Sequence, residues 1–171
     1  MIKKILTILT VGLICSSSSA QESVDFGRVL DGDTFFAKIN GREVKVRLIG
    51  ADAPEHGQVW CTEAQEFTQS FLKDHKVHIE YDKQSTDLYG RTLAYVLDDN
   101  NLNLSVELVR KGLAFSLFYR PNIKYKGLIL DAEKSAKCSK VGIWSTDRPL
   151  LTHPKDFRAK RKMKTTKINV Q

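Results

Sequence analysis

Two short segments of alternating polarity, residues 35–39 and 44–49, abut the dipeptide Asn40-Gly41. That arrangement prescribes a β-hairpin, because Asn-Gly supplies the positive-φ pair that a two-residue antiparallel reversal requires. Alternation puts Val44, Val46 and Leu48 on one strand face and Lys45, Arg47 and Ile49 on the other. The hairpin also brings its flanks together. Asp31-Gly32-Asp33-Thr34 precedes the first strand and Asp52-Ala53-Pro54-Glu55 follows the second, so Asp33 and Asp52 fall near one end. Asp33, Asp52 and Glu55 would repel one another unless a cation joined them, and hard oxygen ligands of this kind suit calcium or magnesium. Arg47 stands beside them as a candidate anion-binding group. Two plainer readings compete: Asp-Gly is a common turn dipeptide, and Arg47 could be a solvated strand arginine.

At 171 residues, 42% hydrophobic and 27% charged, the chain suits one soluble domain with a core of its own. Residues 1–20 join Lys3 and Lys4 to an apolar run ending at Cys15 and a small-residue stretch closing on Ala20. They read as a cleavable export signal, too short in its apolar run for a spanning helix, and Ile14 argues against lipid attachment at Cys15. The expectation is secretion to a periplasm or the medium, with no stable membrane anchor once the signal is gone. The net charge of +7 is unevenly spread. Residues 21–145 carry 17 basic and 18 acidic side chains, whereas residues 146–171 carry eight basic and two acidic. Basicity is thus a property of the tail. Pro149 and Pro154, with no apolar periodicity beyond them, point to a flexible segment. Removal of the signal would leave Cys61 and Cys138, which in an oxidising compartment are expected to pair as a disulfide.

Along the domain, residues 24–30, 76–82, 92–97 and 113–118 read as further strands or extended segments. Thr62-Glu63-Ala64-Gln65 resembles a capping box before a helix carrying Phe67 and Phe71. Asn103 caps a short helix stopped by Gly112, and Leu128, Ile129, Ala132 and Ala136 mark a third. Trp144 reads as a packing anchor. Periodicity alone gives an α+β domain. The four histidines lack the spacing of a zinc site.

The chain resembles the staphylococcal nuclease family in three ordered motifs: Asp31-Gly32-Asp33-Thr34, Arg47 ahead of Asp52-Ala53-Pro54-Glu55, and Asp87-Leu88-Tyr89-Gly90-Arg91. The resemblance runs over about residues 24–144 and implies a five-stranded OB-type barrel with three helices, residues 21–145 forming the nuclease domain. It further implies one Ca²⁺ held by Asp33, Asp52 and the carbonyl of Ala53, and Glu55 as the base acting on the attacking water. Arg47 and Arg91 would clamp the phosphate, and Tyr89, Tyr119 and Arg120 would line the nucleotide groove. Leu88 and Leu117 depart from the family's lysine and tyrosine at those places. The implied protein is an endonuclease for DNA and RNA that leaves 3′-phosphate ends, and a monomer with no protein partner is expected. A non-catalytic OB-fold nucleic-acid-binding protein of the envelope is the alternative.

Overall fold

A computed structural model describes residues 24–168, with side chains through Met163. The expected export signal, its cleavage site and Cys15 lie outside the described residues. Strands β1 (Val24–Asp31), β2 (Thr34–Ile39), β3 (Arg42–Leu48), β5 (Val77–Glu80) and β6 (Thr92–Asp98) form one sheet in the order β1-β2-β3-β6-β5. The sheet curls into an OB-like half barrel, helped by register breaks in β1 on either side of Val29. The β2–β3 hairpin turns at Asn40 (φ 49°) and Gly41 (φ 80°), the positive pair expected of that dipeptide.

A second, two-stranded sheet pairs β4 (Gly50–Asp52) with β7 (Phe115–Leu117). Gly50 makes this possible. At φ 88° it swings the chain off β3, and a side chain there would collide with Ile129 of the third helix. Asp52 leaves the main sheet by this bend and lies opposite Phe115. Against the sheets pack α1 (Cys61–Asp74), α2 (Leu104–Arg110) and α3 (Lys126–Ser139). Phe35, Val46, Leu48, Ala64, Phe71, Tyr95, Leu104, Leu108 and Ile129 meet in one core.

Several expectations are corrected. Among the described residues there are four α-helices, not three, because α4 (Pro154–Ile168) occupies the stretch expected to lack regular structure. Pro154 does not oppose this helix but starts it, since the first helical position needs no N–H. The proposed capping box caps nothing: α1 begins at Cys61, with Trp60 in the left-handed region and no side-chain cap. Leu128 is exposed; Ile129, Ala132 and Ala136 form the buried stripe of α3. Cys61 opens α1 and is buried, Cys138 faces outward on α3, and both are free thiols, so the expected disulfide is absent. Asn103 does cap α2, accepting from Ser105 N at 2.9 Å.

Candidate active site

Four of the implied residues meet in a buried knot at one end of the hairpin. Gly32 brings the first carboxylate in closely: a Cβ there would stand 2.6 Å from that of Ala64 and 2.7 Å from that of Ala53. Asp31 braces this turn, its Oδ1 accepting from Asp33 N at 3.1 Å. Asp33 Oδ1 accepts from the Thr34 hydroxyl at 2.8 Å, and its Oδ2 accepts from Ala53 N at 2.6 Å. The Ala53 backbone is therefore fastened directly beside Asp33.

Arg47 is buried rather than solvated, and it ties the knot. Its Nε lies 3.2 Å from Asp33 Oδ1 and its Nη2 donates to Asp52 Oδ1 at 3.0 Å. Its Nη1 donates to the carbonyls of Leu48 (2.9 Å) and Ala51 (2.6 Å), which locks the bend that carries Asp52. Bridging two carboxylates and two carbonyls at once takes more donors than the three of an ammonium, and a guanidinium has five. Asp52 is 0% exposed. Burial, and then the charge of Asp33, push its carboxyl above the usual range. Burial and Asp33 likewise hold Asp31 up at about 7. Carboxylates crowded and desolvated in this way are electrostatically short of positive charge.

The chemistry of the donor set, two buried carboxylates with the Ala53 backbone fastened beside them, is the observation by which a hard divalent cation fits. Among the described residues no three His, Cys, Asp or Glu side chains gather as a metal cage. The implied ligand set is two carboxylates and a carbonyl, so it needs no third such side chain. Asp33, Asp52 and Ala53 are consistent with holding a cation of the calcium kind.

Glu55 stands at the rim, half-buried, with its N–H donating to Gln58 Oε1 at 2.9 Å. Its Oε1 accepts from Arg158 Nη1 at 2.6 Å, and Arg158 Nη2 donates to both oxygens of Asp52 at 3.0 and 3.3 Å. Sequence reasoning missed Arg158, which arrives from α4, and His153, whose Nδ1 is 3.6 Å from Asp52 Oδ2. Pro154 as a first helical residue was the available signal.

Arg91 is held apart from the knot. Asp87 Oδ1 accepts from the backbone N–H groups of Tyr89 and Arg91, and Asp87 Oδ2 from Arg91 Nε at 2.7 Å. Arg91 leads into β6, whose Leu93 pairs with Arg47 of β3, so both guanidiniums belong to one end of the sheet. Tyr89, 76% exposed, has Arg91 5.6 Å from its ring. Tyr119 and Arg120 are exposed in the loop after β7; among the described residues no hydrogen bond or ion pair joins their side chains to the carboxylates. Leu88 lies 98% exposed in the solvent.

Residues 45–146 match the family model described as staphylococcal nuclease homologue. The chain is 41% identical to a thermonuclease of Staphylococcus hyicus over 135 residues, covering 75% of this chain and 79% of that one. It is 43% identical to a thermonuclease of Staphylococcus intermedius over 130 residues, covering 72% and 76%. A Bacillus subtilis (strain 168) endonuclease, YncB, is 34% identical over 131 residues, covering 72% of this chain and 62% of that one.

Proposed function

The chain belongs to the staphylococcal nuclease family and is a nuclease, and we propose that it is an exported, calcium-dependent endonuclease cutting DNA and RNA with little sequence preference and leaving 3′-phosphate ends. The observation that carries this reading is the buried Asp33–Arg47–Asp52 knot with Glu55 at its rim. Such a knot costs a protein desolvation of several charges, a cost that structure alone seldom warrants.

In this reading Asp33, Asp52 and the Ala53 carbonyl hold the cation. When bound, the cation supplies Lewis-acid neutralisation of a phosphoryl oxygen. Glu55, outside the grip of Arg47, takes a proton from the attacking water. The new bond forms from the water oxygen to phosphorus, the bond from phosphorus to the 5′-oxygen breaks, and that oxygen takes a proton from solvent. Arg47 and Arg91 offset charge on the remaining phosphoryl oxygens, work that a second cation would otherwise do. Tyr89 offers an exposed ring on which a base can stack. Residues 1–20 direct export, the domain of residues 21–145 carries the chemistry, and the mature protein acts as a monomer.

The test is cleavage of plasmid DNA and single-stranded RNA by residues 21–171 in Ca²⁺, Mg²⁺ or EDTA, beside Glu55→Gln. Calcium-dependent cutting is expected, abolished by EDTA and reduced about 10²- to 10⁴-fold in the variant. A folded protein that binds DNA under all three conditions and never cuts would instead be a binding module.

A further inference from the structure

Arg158 lies on the two carboxylates that the nuclease reading needs unencumbered. It takes Oε1 of Glu55 and both oxygens of Asp52, a cation in place among acids. Burial works against its charge, but the hydrogen bond to Glu55 and the charge of Asp52 outweigh burial and raise its pKa further. The matched family region ends at residue 146, before α4 begins at Pro154.

The attachment of α4 is lopsided. Its approach is well fastened: Trp60 Nε1 donates to the Arg148 carbonyl at 2.8 Å, and Gln58 Nε2 donates to the Thr152 carbonyl at 2.7 Å. The Arg148 guanidinium pairs with Glu63 and lies 4.8 Å from the Trp60 ring centre. His153 packs on Phe115, with ring centres 4.2 Å apart, and Pro154 is buried. Past that point only Phe157 and Arg158 are even half-buried, whereas Lys155, Asp156 and residues 159–163 are exposed. Lys162, one turn beyond Arg158, reaches to 6.0 Å from the Tyr89 ring centre. Among the described residues past Pro154, the helix thus crosses the site from Glu55 towards Tyr89 with Phe157 as its one half-buried apolar side chain.

We infer that Arg158 is a built-in counter-cation which a divalent cation must displace, making α4 a cover hinged at residues 148–154 that lifts from the active site when the cation binds. The inference rests on the reading of Asp52 and Glu55 given above. A divalent ion brings twice the charge of a guanidinium to the Asp52 oxygens that Arg158 takes, and Asp52 is buried where charge interactions are strong. Displacement frees Glu55 to accept a proton.

The test compares the wild-type protein with R158Q in two measurements that do not depend on cleavage: calorimetric titration with Ca²⁺, and amide hydrogen exchange of residues 154–163 in Ca²⁺ and in EDTA. R158Q, relieved of the competitor, is expected to bind Ca²⁺ about tenfold more tightly, the scale of a charge-assisted hydrogen-bonded pair discounted for partial exposure. Exchange in residues 154–163 of the wild type is expected to quicken about tenfold or more in Ca²⁺, and in EDTA to be faster in R158Q than in the wild type. Equal or weaker Ca²⁺ binding by R158Q overturns the inference and leaves the nuclease reading standing. Absence of Ca²⁺ binding by either protein sinks that reading and the inference with it. If R158Q fails to fold, the wild type alone decides: exchange in α4 indifferent to Ca²⁺ overturns the cover.

Discussion

Asp87 shows how one carboxylate can prepare a site it never enters. Both of its oxygens are spent on the loop, Oδ1 on the N–H groups of Tyr89 and Arg91 and Oδ2 on the Arg91 guanidinium at 2.7 Å. Burial opposes its charge, but the hydrogen bonds from Arg91 and Tyr89 prevail and hold the carboxyl below its ordinary 3.8. The folded state therefore binds fewer protons here than the unfolded one. The resulting stabilisation is fully present above about pH 4 and is lost as pH falls through the lower, folded value. Asp87→Asn should cost about 1 kcal/mol in urea unfolding at pH 7, discounted for the part-exposed Arg91 partner, and the deficit should shrink below pH 4. A deficit equal at pH 7 and pH 3 would mean that Asp87 acts without its charge. At this scale the sequence was informative where residues are close along the chain. Asp33, Arg47 and Asp52 were readable because one hairpin joins them. Arg158 was not, since 106 positions separate it from Asp52 and no short-range pattern reports such a meeting.

Elements meet where two glycines face each other. Gly112, just past α2, and Gly142, opening the 3₁₀ turn Gly142–Trp144, have φ of 65° and 57°. A Cβ on either would strike the other segment's backbone. The contact is closed by Ile143 N donating to the Gly112 carbonyl at 2.8 Å. It sets the start of the segment that leads to residues 148–154 and so to α4. Gly112→Ala adds both left-handed strain and overpacking against backbone that has no rotamer to yield. It should cost about 3 kcal/mol or more, seen as a lower urea midpoint with unchanged slope. A loss under 1 kcal/mol would mean the crossing is pliable. Gly112 was legible as a helix stop, but its role as a crossing point was not, for that depends on a partner 30 residues away. The same limit hid β4 and β7. Each is a three-residue strand that exists by pairing with the other, and neither has a pattern long enough to show alone.

Across the whole molecule, positive charge is concentrated towards the C-terminal end of the sequence, from which α4 brings Arg158 onto the site. Residues 146–171 hold eight basic side chains against two acidic ones, whereas residues 21–145 are one charge short of neutral. Among the described residues no helix is long and apolar enough to cross a membrane. α4 instead carries its lysines in a regular helix beside carboxylates that would repel a polyanion. A nucleic acid approaching the knot meets local repulsion from Asp31, Asp33, Asp52 and Glu55, and the basic helix offsets it at longer range. Phosphate contacts of that sort release counterions, so the logarithm of affinity falls with the logarithm of salt by about 0.9 for each phosphate neutralised on duplex DNA. Lys160, Lys164 and Lys167 lie in α4 at positions other than Arg158. Replacing all three with glutamine, a comparable helix former, keeps Arg158 and the helix but removes three charges. The salt slope for duplex DNA binding in EDTA should become shallower by about one to three. An unchanged slope would assign binding to the body of the protein and leave the lysines of α4 as a solvated face.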